Sequence, residues 1–234
     1  MEPESRRLAL EIAHCPVIAA VLKGAPSPCR EVIAFQNRPA SERWVAEPWS
    51  GHLERAPIVF LSSNPSSGDP NEPPAPADLT ESSDDEAILH AFEDAFDEGP
   101  WNGIHDGTHL RSTDGHVGKY VAYWGSCKAR ASELFGRLAM PGRDYALTEV
   151  VHCGSQSEIG VWPAAGECVR RYLERVLQLS PAVVVVVVGA VARDIVRSMV
   201  PQTAIGVTHV GPVTCGGSTT ARAIPSTSKC SRRT

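Results

Sequence analysis

Lysine and arginine are missing from the whole stretch between Ala56 and Leu110, and acids are missing after Asp194. The first absence excludes the acidic stretch as a polyanion-binding surface. The second leaves Arg197, Arg222, Lys229, Arg232 and Arg233 unopposed, so a nucleic-acid partner would meet the C-terminal end. A solvated acidic loop and a basic tail account for the same charges, and the net charge of -5 is not that of an obvious polyanion binder. Long apolar runs are also missing. The longest, Ala182 to Val188, falls far short of the roughly 20 residues a membrane span requires. No secretory leader is visible, because Met-Glu-Pro-Glu-Ser-Arg-Arg opens directly into an amphipathic stretch, and a cytoplasmic protein without membrane contact is expected. No Gly-rich phosphate loop joins a strand to a helix, since Gly216-Gly217 lies between two β segments. No internal repeat and no second domain are found. The seven cysteines, an odd number, fit thiols or metal ligands in a reducing compartment better than disulfides.

What is present suits one globular domain over residues 1–234, with 42% hydrophobic and 21% charged residues. The spacing of Leu8, Ile12, Val17 and Val21 predicts a helix over 6–23, and a second short helix is expected over 30–36. Residues 37–57 read as irregular. Ile58-Val59-Phe60-Leu61 predicts a buried strand, followed by a mobile acidic loop at 66–86. Helices are expected over 86–97 and 120–138. Residues 145–153 predict a second strand and 163–177 a helix. The valines of 182–188 predict a strand buried on both faces, as in a parallel sheet, and Gly189 leads into a helix over 190–199. Two short β segments, 205–214 and 219–225, close the chain. Strand and helix alternate, which predicts an α/β fold with three layers, α/β/α, around a central, mostly parallel four-stranded sheet. Ligands of such sheets bind beyond the carboxyl ends of the strands.

Three segments lie at such ends: Ser62-Ser63-Asn64-Pro65-Ser66, Thr148-Glu149-Val150-Val151-His152-Cys153, and Ile224-Pro225-Ser226-Thr227-Ser228. Their order resembles the uracil-DNA glycosylase superfamily, in its iron–sulfur-containing branch. There the first strand ends in Gly-x-(Asp/Asn/Ala)-Pro, the middle strand reads Thr-Asn-Val-Val-Lys-Cys, a helix carries Cys-x-x-Tyr-Leu, and the last strand ends in His-Pro-Ser. Here Ser62 stands where the glycine is usual, Glu149 where the asparagine is, and Ile224 where the histidine is. The helix motif is matched by Cys168-Val169-Arg170-Arg171-Tyr172-Leu173, and the valine strand with Gly189 matches a further strand. The likeness covers roughly residues 56–230.

The resemblance implies a DNA glycosylase that hydrolyses the N-glycosidic bond of a flipped, deaminated or damaged base in base excision repair. Asn64 would position the attacking water. Glu149, Pro65 and Ser66 would meet the base, and Pro225, Ser226, Thr227, Ser228 and Lys229 the phosphates of single- or double-stranded DNA. An ionised Glu149 would suit an exocyclic amino group, whereas a protonated one could donate as an amide does. The same likeness implies a [4Fe–4S] cluster held by Cys15, Cys29, Cys153 and Cys168, although Cys15 and Cys29 replace the branch's close Cys-x-x-Cys. Cys127, Cys215 and Cys230 remain as ordinary thiols. His152 reads as a structural histidine, and Tyr120, Tyr123 and Trp124 as core, with a base-stacking role for one of them as the alternative. A monomer is expected. The alternative is a catalytically weak or inactive nucleic-acid-binding module on the same fold, because Ile224 cannot donate a hydrogen bond to a departing base.

Overall fold

A computed structural model describes residues 1–35, 39–66, 79–99, 103–112 and 114–200. It is a mixed α/β structure built on a three-stranded parallel sheet, in the order β5-β1-β6. β1 (Ile58–Ser62) is central, flanked by β5 (Tyr145–Glu149) and β6 (Val184–Val187). Ile58 pairs with Tyr145 on one side and Val184 on the other; at the far end Ser62 pairs with Glu149.

The two-residue period of a strand divides these side chains between two cores. Val59, Leu61, Ala146, Val185 and Val187 enter one, and Ile58, Phe60, Tyr145, Leu147 and Val186 the other. Helices cover both faces, as the uninterrupted apolar runs require. On the first lie α1 (Pro3–Ala13), α2 (Pro16–Leu22), α3 (Arg30–Ala34), α6 (Val161–Cys168), α7 (Glu174–Leu179) and α8 (Ala190–Met199). On the second lies α5 (Ala122–Phe135), which buries Cys127 and Ala131. α4 (Asp85–Glu93) starts on an Asp84 cap whose side chain accepts from Glu86 N at 2.9 Å, and packs Ile88 with Ala13, Val45 and Phe92.

The structure departs from the sequence reading at several places. The helix expected over 6–23 is two helices, because Pro16 forces the preceding Cys15 into an extended conformation, φ -49° and ψ 116°, and opens α2 as its first residue. The kink turns Cys15 out of the helix. A second sheet, antiparallel and in the order β2-β3-β4, comes from β2 (Ile104–His105), β3 (His109–Arg111) and β4 (Val117–Tyr120). Strands this short carry no readable alternation. Tyr120 therefore ends a strand and is exposed, whereas Tyr123 and Trp124 pack against the second core as expected. The expected mobile loop at 66–86 falls partly outside the described residues, and its far end is ordered by a bridge between Thr80 and Trp44. The β segments at 205–214 and 219–225, and with them the fourth strand, lie outside the described residues. No helix among the described residues is long and apolar enough to cross a membrane.

Candidate functional site at the carboxyl end of the parallel sheet

The chain segments leaving β1 and β5 continue side by side beyond the sheet. Val150 N donates to Ser62 O at 2.9 Å, Val151 N to Ser63 O at 2.9 Å, and Ser155 N to Pro65 O at 3.2 Å. This ladder fixes the loop that carries Asn64. The Asn64 amide nitrogen donates to Pro65 O at 2.8 Å and Ser155 Oγ at 3.1 Å, with Cys153 O at 3.5 Å. The amide is thereby locked, and its oxygen faces no donor among the described residues. Pro65 is buried and Ser66 is exposed, paired with Ser155. The Ser63 hydroxyl donates to Glu158, in a turn where Ser157 and Glu158 both adopt left-handed backbone conformations, φ 51° and 61°. Such conformations cost non-glycine residues energy and gather near functional sites.

Glu149 ends β5 opposite Ser62, with only 9% of its surface exposed. Ser62 Oγ approaches its Oε1 at 3.4 Å. Burial first, then the nearby Glu47 charge, push its carboxyl well above the usual carboxylate range. Tyr123 of α5 is half-buried, with its hydroxyl buried near Glu149 and Ser62 and without a hydrogen bond of normal geometry among the described residues.

Glu47 was not foreseen. It lies in the stretch read as irregular, and a stretch without periodicity gives no sign of which strand it will line. In the fold, Ser50 and Leu147 exchange backbone hydrogen bonds of 2.8 and 3.0 Å, and Thr148 Oγ1 donates to Pro48 O at 2.8 Å. Residues 47–50 thus form a strap along the outer edge of β5. His152 anchors its end: Glu47 N donates to His152 O at 2.9 Å, and His152 Nδ1 donates to Glu47 O at 2.7 Å. Burial lowers the His152 pKa to about 4, so the ring is neutral and structural, as the sequence suggested.

The four cysteines converge behind this end of the sheet, within the first core. Cys15, Cys29, Cys153 and Cys168 are all buried there, whereas Cys127 lies on the opposite face. Burial raises the Cys29, Cys153 and Cys168 thiols, that of Cys168 to about 12, and the neighbouring thiols push each further up. Backbone N–H of His152 favours the Cys168 thiolate, and Tyr172 Oη donates to Cys15 Sγ at 3.2 Å. A π-helical turn, Val169–Leu173, follows Cys168 directly, a distortion common beside functional groups. No three of these sulfurs lie within 4.8 Å of one another.

At the opposite end of the sheet, His52, Asp94 and Asp97 place ligand-type atoms within 4.8 Å of one another. Polar contacts account for them: His52 Nε2 meets Asp97 at 2.8 Å, His90 Nδ1 meets Asp94 at 2.8 Å, and the neighbouring Glu93 takes the N-terminal ammonium at 2.7 Å. Pro225, Ser226, Thr227, Ser228 and Lys229 lie outside the described residues, as do Cys215 and Cys230. Neither a protein-family model nor a curated protein matches the chain.

Proposed function

We propose that this chain is a DNA glycosylase akin to the uracil-DNA glycosylases, which hydrolyses the bond between deoxyribose and a flipped base. The observation that carries the reading is the joint placement of Asn64 and Glu149 at the carboxyl ends of adjacent parallel strands, where ligands of such sheets bind. In the reaction, a water held by the Asn64 amide oxygen adds to C1′ as the bond to the base nitrogen breaks. The electron pair leaves with the base, and the water's proton passes to solvent. The oxocarbenium-like transition state gains most from a fixed water and from groups that accommodate the departing base. Asn64 needs little reorganisation for this role, because three acceptors already hold its nitrogen. Residues 225–229 would grip the phosphates, offsetting the few kcal/mol of base extrusion.

Cys15, Cys29, Cys153 and Cys168 would supply the four thiolates of a [4Fe–4S] cluster, a reading supported by their number and burial in one core. The cluster would be structural: it would tie α1 and α2 to the segment after β5 and to α6, away from the base. A second reading, a nucleic-acid-binding module without catalysis, is favoured by Ser62, whose side chain occupies space beside Glu149 where the resembling family has glycine.

The test is a single-turnover excision assay on single- and double-stranded oligonucleotides carrying uracil, hypoxanthine, xanthine or mismatched cytosine. Release of at least one base is expected. Tight binding with no release of any of them establishes the second reading instead.

A further inference from the structure

The antiparallel sheet is fixed to the molecule at its first turn. Asp106 and Gly107 of that turn both take left-handed conformations, φ 50° and 73°. Gly107 lies so close to Pro141 and the Tyr145 hydroxyl that a side chain there would collide with both. Lys128 Nζ donates to Asp106 O at 2.5 Å and Val121 N to Thr108 O at 2.8 Å, which ties the sheet to α5. Ile104 is its buried anchor. Cross-strand partners share a face, and the register sets His105 opposite His109 and His109 opposite Tyr120. Three rings therefore form a row across the three strands, and Arg111 faces Val117 in the row beside it.

The Tyr120 ring is held in place yet left in water. It meets His109 edge to face, with centroids 5.5 Å apart and planes at 71°. It also leans on Gly125 of α5, where any side chain would run into it. Even so, 55% of Tyr120 is exposed. Cations return to the sequence here: from Arg111 to Arg143 the chain carries Arg111, Lys119, Lys128, Arg130, Arg137 and Arg143 against Asp114 and Glu133. Arg130 pairs with Glu133 and Arg137 with Asp144. Arg111 and Lys119 have no ion pair among the described residues. Asp106 accepts from Thr108 and faces His109 Nδ1 at 3.3 Å, and Asp114 accepts from Ser112 and from His116 N, so both acids are engaged within their own turns.

We propose that this face is a docking surface for single-stranded DNA, with bases stacked along Tyr120, His109 and His105 and phosphates met by Arg111 and Lys119. Every base has a π-face, so a row of rings holds a strand without reading its sequence, whereas a duplex keeps its bases in its own stack. A ring already seated by His109 and Gly125 loses little freedom when a base covers it. Tyr120 leads directly into α5, whose Tyr123 hydroxyl lies near Glu149 and Ser62, so the surface adjoins the candidate site from the α5 side. That the strand is DNA rests on the glycosylase reading; that a single strand binds here does not.

The test is fluorescence anisotropy of the full chain with labelled oligothymidylate, against a blunt DNA duplex and oligouridylate, at low and high salt. The single DNA strand should bind more tightly than the duplex and no more weakly than the RNA, with an affinity that falls as salt rises. Tyr120→Ala should weaken it by roughly 5- to 150-fold, the scale of one stacked base, and Tyr120→Phe should restore it. Gly125→Ala keeps the ring but displaces it and should weaken binding too. Lys119→Gln should lower the slope of log affinity on log salt by about 0.7. Arg222, Lys229, Arg232 and Arg233 offer a rival site, so a bromouracil-substituted strand is photo-crosslinked and the peptides are mapped. A crosslink at Tyr120 or its strand neighbours is expected. Crosslinks confined to the chain after Val200 overturn the proposal. So does a duplex bound as tightly as the single strand, a preference for RNA, no binding at all, or a folded Tyr120→Ala that binds like wild type. If Tyr120→Ala does not fold, Lys119→Gln and the crosslink decide. None of these readouts uses excision: a chain that binds here and releases no base fails the glycosylase reading alone, and one that releases a base but binds no strand on this face fails this proposal alone.

Discussion

Both ends of the parallel sheet carry acids, and the fold treats them in opposite ways. At the amino end, Asp97, Asp94 and Glu93 each meet a histidine or the terminal ammonium, and Asp97 is 42% exposed. At the carboxyl end, Glu149 is buried, and among the described residues the charge that acts on it is the Glu47 carboxylate, which raises its pKa further. Paired surface charges contribute about 0–1 kcal/mol and explain themselves. A buried acid facing a second acid costs stability and calls for a use, which is why such groups cluster at functional sites. The carboxyl end also sits against the buried thiols of the first core.

The largest effect that sharpens this contrast is expected from Cys153→Ser. Protein prepared without oxygen should be brown. The variant should lose that colour and several kcal/mol of stability, seen as a melting temperature lower by about 5 °C or more. Colourless wild-type protein lacking iron and sulfide would reduce the four cysteines to core packing. Next is Asn64→Ala, expected to slow single-turnover excision by roughly 10²-fold or more while DNA affinity in a titration stays the same. Unchanged excision would remove Asn64 from the mechanism and leave the carboxyl end without a water-holding group.

The third effect is on stability against pH. Glu149 has its folded pKa raised above its unfolded one, so the folded chain holds more protons than the unfolded chain once pH exceeds the ordinary carboxylate range. Stability therefore falls as pH rises through that window, and it levels off only above the folded pKa. Glu149→Gln should remove this slope. In urea denaturation the variant should match wild type near pH 4 and exceed it at pH 8. Equal slopes in the two proteins would mean that Glu149 ionises freely. The smallest effect belongs to the amino end, where Asp97→Asn should cost less than about 1 kcal/mol and leave excision untouched. A larger loss in that variant, or metal-dependent melting of the wild type, would erase the difference between the two ends.

The sequence made the parallel sheet legible because its strands are buried on both faces. Ile58-Val59-Phe60-Leu61 and the valines of β6 are unbroken apolar runs, and such runs fit only the middle of a covered sheet. The helix over 190–199 was legible from Gly189, whose φ of 91° makes the turn out of β6. Pro16 was visible too, yet the apolar spacing continues across it, and the periodicity concealed the break. The antiparallel sheet was not legible, since strands of two to four residues hold at most two periods of alternation, too few to stand out. Of the candidate site, Asn64 and Glu149 stood out at strand ends. Glu47 did not, because the strap docks on β5 and the segment after it through its own backbone groups, which every residue carries.

By itself, then, the order of apolar runs and breakers determined the α/β class, the parallel strands, and which end of them holds the polar turns. Only the tertiary structure decided that Cys15, Cys29, Cys153 and Cys168 share one buried region and that Glu47 stands beside Glu149. The physical reason is range. Local pattern records each residue's own preference, whereas burial and charge depend on neighbours that lie distant in the chain, and folding alone chooses those neighbours.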